Sequence, residues 1–210
     1  MRNILDSGAS LLLVALVLLS IFRFLDERLP ESGNVHELTG DSFGNAIGLV
    51  LGSDKSLKEI SIFAQTSSKY LGFIVDRSQE VRIDTLRILI SDPKYAVSEA
   101  PLSQRTIDDT TAELNNTINS WCQLVADGVV KNLEIRKFSF PPTFHFMIVG
   151  KENALFGLFR PDPKTLPKYR TATSFFFSSK HPAAKHMVED LEMFFDSVFK
   201  NFSSDCAKAP

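Results

Sequence analysis

The residue in this chain best suited to chemistry is His145, which lies in the apolar segment 143–149 (TFHFMIV). Alternation along this segment predicts a strand in which His145 faces away from Phe144 and Phe146. A histidine in such a place either contacts a ligand or forms a structural hydrogen bond, and the sequence leaves both interpretations open. Arg160, further along, could collect an anion at the same sheet edge or lie in a solvated loop.

Lys151 is the second cation near this histidine, in the sequence Gly150-Lys151-Glu152-Asn153. Glycine and asparagine between two apolar runs are typical of a tight turn that joins two strands of a hairpin. The simplest interpretation places the lysine in water at the tip of that hairpin. Anion binding is the alternative.

The elements that must position these residues follow from hydrophobic periodicity. Residues 57–64 alternate as a strand does, and Thr66 and Ser67 can cap a following helix. The nearly continuous run 82–90 suits a strand buried on both faces, so strand, helix and strand predict a parallel crossover unit. A long amphipathic helix is predicted over 105–125. Further strands are predicted over 133–138, 143–149, 154–159 and 171–178, before a closing helix from near Pro182.

This order of elements resembles one half of the phospholipase D superfamily, most specifically in the segment 133–159 (LEIRKFSFPPTFHFMIVGKENALFGLF). In that family the second strand carries His-x-Lys-x(4)-Asp, whose histidine attacks phosphorus and whose lysine holds the phosphate oxygens. A Gly-Ser or Gly-Gly pair near the end of the next strand completes the pocket. The resemblance covers about residues 57–200 and implies an α/β fold in which a mixed sheet is flanked by helices.

The signature of that family is degenerate in this sequence. Aligning Gly157 with the family glycine puts Thr143 at the nucleophile and His145 at the lysine. Taking His145 as the nucleophile instead puts Met147 at the lysine. Phosphoryl transfer depends mainly on electrostatic stabilisation of the phosphate oxygens, so the missing lysine should cost most of the activity. The candidate ligand-binding residues are Thr143, His145, Lys151, Gly157 and Arg160.

The N-terminal segment predicts a membrane anchor. Residues 9–22 (ASLLLVALVLLSIF) are uncharged, and with the neighbouring apolar residues up to position 25 the run is just long enough to span a bilayer. A cleaved secretory signal is the alternative, but no A-x-A-like site follows the run. We predict an anchor at 1–25 that contacts the bilayer through 9–25, a polar linker at 26–40 and one α/β domain at 41–210. The positive-inside rule leans slightly towards a cytoplasmic domain.

Composition limits the remaining possibilities. The formal net charge is −2, which offers no field to recruit nucleic acid, so nucleic-acid binding is not expected. The two cysteines form neither a disulfide framework nor a zinc pattern. His181 and His186 are five residues apart and do not share one helical face. We therefore expect no metal and no cofactor.

Two functions of different classes are compatible with these features. The first is a single-pass, catalytically inactive phospholipase-D-like domain that binds a protein partner or a small anionic ligand as a sensor or adaptor. The second is a phosphodiesterase, either a phospholipase or a nuclease, that uses His145. Because the chain carries one motif where a working site needs two, the second function requires a homodimer. A pure scaffold within a membrane complex is a third possibility.

Overall fold

Within the part of the chain that the computed structural model describes, eight strands form one mixed sheet in the order β1-β7-β6-β5-β2-β3-β4-β8. The described residues are 36–39, 47–48, 50–52, 54–98, 107–140, 144–161, 169–180 and 182–205. The strands are β1 (His36–Thr39), β2 (Ser56–Ala64), β3 (Arg82–Ser91), β4 (Val130–Phe138), β5 (Phe144–Val149), β6 (Asn153–Pro161), β7 (Tyr169–Ser178) and β8 (Ser203–Asp205). The helices are α1 (Ser68–Asp76), α2 (Pro93–Ser98), α3 (Ile107–Ala126) and α4 (Pro182–Asn201).

The centre of the sheet is parallel and its flank is antiparallel. β2 pairs parallel with β3, which pairs parallel with β4, so β2-α1-β3 is a crossover unit as predicted. β5 joins the other side of β2 in the antiparallel direction, followed by β6 and β7. Both predictions for this region, the buried central strand and the mixed α/β class with flanking helices, are confirmed.

A tight turn joins β5 to β6, as the sequence predicted. Gly150 has φ of +60° and Lys151 has φ of +62°, the pair of left-handed conformations that two-residue hairpin turns favour. Glycine adopts this conformation freely, whereas lysine adopts it at some cost in backbone strain. The turn closes with the amide of Glu152 donating to the carbonyl of Val149 at 3.1 Å.

The two faces of the sheet bury different kinds of side chain. On one face α1 and α3 cover a mainly aliphatic layer, to which helical residues 47, 50 and 51 also contribute. On the other face α4 covers a layer rich in phenylalanine, with Leu191, Phe194 and Phe195 fully buried against strand residues such as Phe63 and Phe146. The apolar stripe of the closing helix is therefore docked on the core.

Three short elements escaped the sequence analysis. β1 lies inside the stretch interpreted as linker, α2 lies inside a segment interpreted as loop, and β8 lies beyond the closing helix. All three are too short to show a hydrophobic period. Ser67 does not form the predicted side-chain cap. It has φ of +58°, and its hydroxyl makes no capping hydrogen bond.

The predicted anchor, residues 1–25, lies outside the described residues. Among the residues that are described, no helix is long and apolar enough to cross a membrane. The anchor and the bilayer contact through 9–25 remain predictions from the sequence.

Candidate functional site

His145 lies on the face of the sheet that α1 and α3 cover, level with the end of β2. It pairs with Gly157 across the β5–β6 ladder, and its neighbour Phe146 pairs with Phe63 of β2. The flanking Phe144 and Phe146 belong to the opposite, phenylalanine-rich layer. The alternation predicted for β5 is thus observed. His145 is 3% exposed, so the histidine is enclosed rather than open to solvent.

A buried hydrogen bond joins His145 to Tyr70 in the first turn of α1. The tyrosine hydroxyl lies 2.5 Å from His145 Nδ1, and the two rings meet edge to face. Burial raises the pKa of the Tyr70 hydroxyl well above its usual value, which keeps it protonated. Burial is the larger cause that lowers the pKa of His145 from 6.5 to about 3, and the positive charge of Lys69 adds to it. The imidazole is therefore neutral at physiological pH.

Gly157 supplies the space in which the imidazole lies. A Cβ built on this glycine would lie 2.7 Å from His145 Cε1 and 3.1 Å from Cδ2, with Nε2 nearer still. Real Cβ atoms do not approach heavy atoms so closely, so the ring fits only over a residue without a side chain. The structure therefore brings together His145 and Gly157, two of the five predicted site residues.

The start of α1 completes the surroundings of the histidine. Ser67, in the left-handed conformation, accepts a hydrogen bond at 3.1 Å from Trp121 Nε1 on α3. Ser68 donates to Glu113 Oε1 at 3.2 Å. These bonds fix α1 against α3 and so fix Tyr70 over the sheet. None of these partners was predicted, since each is remote from the histidine in sequence.

The lysine position of the second alignment is occupied by a core residue. Met147 is fully buried in the aliphatic layer, two residues along β5 from His145. No charged group can replace it there without a large desolvation cost. The charge that acts on His145 comes instead from Lys69, an exposed residue of α1.

Lys151 is not part of this site. It lies at the far end of β5, and its ammonium forms an ion pair with Glu192 of α4, on the opposite face of the sheet. The bond to Glu192 raises the pKa of Lys151, which is 63% exposed. Arg160 lies on β6 opposite Arg170, and its side chain is outside the described part of the structure. Thr143 also lies outside the described residues.

A second polar cluster, which the sequence did not reveal, surrounds Arg87 on the α4 face. Its guanidinium bonds Glu59 at 2.5 Å, Asp196 at 2.7 Å and Ser61 Oγ at 3.2 Å. The same group lies 5.0 Å from the ring centroid of Phe195. The Nε atom is buried without a partner. This cluster ties α4 to β2 and β3, which is a structural role.

Metal binding has no support in the described part of the chain. No group of three or more His, Cys, Asp or Glu side chains there is placed to hold an ion.

Comparisons with known proteins yield structural neighbours alone. No protein-family model matches the chain, and no curated protein matches it. TrmBL2, described as an archaeal chromatin protein with a novel mode of DNA binding, is similar with a TM-score of 0.50 and 13% identity, over 98% of this chain and 66% of that one. At this identity the likeness shows a shared fold and nothing about function.

Two further neighbours are a phosphatidylserine synthase and a phospholipase D family member. Phosphatidylserine synthase from Haemophilus influenzae Rd KW20 has a TM-score of 0.49 and 12% identity, over 82% of this chain and 40% of that one. Nuc, a phospholipase D family member from Salmonella typhimurium, has a TM-score of 0.43 and 16% identity, over 83% and 99%. The chain also spans just 66% of TrmBL2 and 40% of the synthase.

Proposed function

We propose that this chain is a membrane-tethered, catalytically inactive phospholipase-D-like domain that acts as an adaptor or sensor by binding a partner. The observation that carries the proposal is the state of His145, which is enclosed, neutral and bonded to Tyr70 over Gly157. The sequence of the β4–β6 segment and the observed order of strands and helices support the relation to the phospholipase D superfamily.

The geometry argues against nucleophilic attack by this histidine. A nucleophile needs a free nitrogen within about 3–3.5 Å of the phosphorus, along the line of the leaving group. His145 is 3% exposed, and its Nε2 is the ring atom closest to the Cβ position of Gly157. The motif lysine is replaced by the core residue Met147, so the developing charge on phosphate would lack its main stabilising group.

A second candidate function, a homodimeric phosphodiesterase, is favoured by one observation. Lys69 is close enough for its charge to lower the pKa of His145. An exposed lysine beside the histidine could hold phosphate oxygens in place of the missing motif lysine, if the site opened. We rank this second because opening must break the Tyr70 bond and admit water to a buried ring.

DNA binding, which the description of TrmBL2 mentions, is not part of the proposal. The formal net charge of −2 gives this chain no general attraction to phosphate backbones.

Hydrolysis assays on the purified full-length chain test the proposal. We expect no turnover above background with lipid headgroups, cyclic nucleotides or nucleic acid, in the wild type as in His145→Ala. Hydrolysis that disappears in His145→Ala and in Lys69→Met, yet persists in Lys58→Met, would establish the phosphodiesterase instead. Lys58 is the matched control because it is an exposed lysine of β2 outside the His145 site.

A further inference from the structure

The phenol of Tyr70 closes the surroundings of His145 on the side of α1. Tyr70 is 2% exposed, and its hydroxyl lies 2.5 Å from His145 Nδ1. On the side of β6, the imidazole lies over Gly157, where no side chain would fit. The imidazole is thus held between the backbone of β6 and a side chain from the first turn of α1.

The hydrogen-bonding position at Nδ1 is occupied by the chain itself. A ligand that a histidine recognises places an oxygen or nitrogen atom within about 2.7–3.2 Å of a ring nitrogen. The Tyr70 hydroxyl lies in that position, and its ring meets the imidazole edge to face, with 5.8 Å between the centroids. A ligand atom can therefore contact Nδ1 of His145 only after the phenol has moved.

Two side-chain hydrogen bonds, here named the latch, hold the first turn of α1 against α3. Trp121 Nε1 donates to the Ser67 hydroxyl at 3.1 Å. The Ser68 hydroxyl donates to Glu113 at 3.2 Å. Because residues 67, 68 and 70 lie within about one helical turn, this part of α1 moves as a unit. Separating it from α3 therefore also withdraws Tyr70 from His145.

The helix that carries the phenol is weak on its own. α1 has nine residues, and helices this short are marginal in water without tertiary contacts. Its exposed Gly72 lowers the stability of the helix further relative to alanine, although a Cβ there would meet nothing within 4 Å. Contacts with the rest of the domain, the latch among them, therefore determine whether the first turn of α1 stays in place.

We propose that Tyr70 is an internal plug of the His145 site and that the latch keeps this plug in place. The inference rests on the proposed adaptor or sensor function and adds how its site is regulated. With the plug in place, the site binds no ligand. A partner that separates the first turn of α1 from α3 withdraws the phenol and exposes His145.

Modification of histidine by diethyl pyrocarbonate, followed by mass spectrometry of the peptides, measures the exposure of His145 in the full-length chain. Labelling of a buried ring follows the population of the locally open state. His186, whose side chain is 81% exposed, is the internal reference for the reagent. In the wild type we expect His145 to be protected relative to His186.

Tyr70→Ala removes the plug and should speed the labelling of His145 by at least about tenfold, since both a buried hydrogen bond and the packed ring are lost. Free 4-methylphenol has the shape and the hydroxyl of the missing side chain, so adding it should restore the protection. Ile74→Ala is the matched control. It truncates a residue 3% exposed, one turn further along the same buried face of α1, and should leave His145 protected.

Ser67→Ala tests the latch with a smaller change. Loss of one net hydrogen bond should raise the labelling rate of His145 by about fivefold. Thr117→Val is the control, because it removes a hydroxyl that bonds the carbonyl of Glu113 within α3 and holds no other element. It should leave the rate unchanged. If Tyr70→Ala does not fold, the comparison of these two variants decides the proposal.

Protection of His145 that survives Tyr70→Ala, or equal labelling in Tyr70→Ala and Ile74→Ala, would overturn the plug alone. Labelling in a folded Tyr70→Ala that 4-methylphenol leaves unchanged would do the same. Equal rates in Ser67→Ala and Thr117→Val would overturn the role of the latch. Labelling of His145 as fast as that of His186 in the wild type would overturn the plug together with the proposed inactive site.

Discussion

Replacing Gly157 by alanine probes the packing of His145 most sharply. The new methyl would lie 2.7 Å from His145 Cε1, whereas carbon atoms pack at about 3.5–4.0 Å. The ring must therefore move by about 1 Å, away from the position in which Nδ1 lies 2.5 Å from the Tyr70 hydroxyl. The substitution thus combines overpacking with the loss of a buried hydrogen bond.

The magnitude follows from these two effects. Overpacking of a filled interior costs about 1–3 kcal/mol, and a buried polar group left without its partner costs about 1–3 kcal/mol. Alanine recovers ~0.5–1 kcal/mol because glycine is unfavourable within a strand. We expect Gly157→Ala to lower the free energy of unfolding by about 2–4 kcal/mol, measured by urea titration of a chain that begins at Asn34.

Two further variants separate this cause from a general effect of alanine. Gly72→Ala on α1 is the matched control, since a Cβ there meets nothing within 4 Å, and it should stabilise the helix by up to ~1 kcal/mol. In a His145→Ala background the methyl at position 157 has room, so Gly157→Ala should cost under ~1 kcal/mol there. Equal costs of Gly157→Ala in both backgrounds would refute the packing of His145 over this glycine.

Three other outcomes are expected. Leu191→Ala or Phe195→Ala should lower the free energy of unfolding by about 2–5 kcal/mol through cavity formation. Met193→Ala, at a position 64% exposed on the same helix, should change it little. An unchanged melting temperature in the first two variants would mean that α4 is not docked on the core. The pKa of His145 is lowered to about 3 in the folded chain, whereas the unfolded chain protonates this ring near pH 6.5, so the free energy of unfolding falls as the pH drops below 6.5. Between pH 7 and 5 the free energy of unfolding of the wild type should therefore fall by about 2 kcal/mol more than that of His145→Gln. Identical losses in urea titrations would contradict the burial of this ring. The full-length chain should sediment with membranes and resist alkaline extraction, whereas the chain from Asn34 should stay soluble; recovery of the full-length chain in the soluble fraction would remove the anchor.

The sequence was sufficient for the main elements because each of them buries a regular apolar face. The run 82–90 lacks polar alternation at its end, which is why a strand buried on both faces could be predicted there. The turn at Gly150 and Lys151 was visible because left-handed turn positions restrict residue choice. β1 and β8 were not predicted, since an edge strand of three or four residues is too short to show a hydrophobic period.

The sequence predicted only part of the site. The resemblance pointed to His145 and Gly157 as residues of one pocket, and the ladder places them opposite each other. Lys151 was close to the histidine in sequence yet lies on the other face, because the turn carries it toward α4. Tyr70 is 75 residues away in sequence, and a tertiary hydrogen bond of this kind leaves no signature in spacing.

The most direct test of the central claim is whether His145 can form a bond to phosphorus. The full-length chain is incubated with an activated phosphodiester, such as a nitrophenyl ester, at pH 7. The masses of the intact protein and of its peptides are then measured by mass spectrometry under conditions that preserve phosphohistidine. An enclosed, hydrogen-bonded imidazole predicts no adduct on the peptide that contains position 145, in wild type as in Lys69→Met. A phosphoryl adduct on His145 of the wild type, which Lys69→Met reduces, would contradict the assignment of the chain as catalytically inactive.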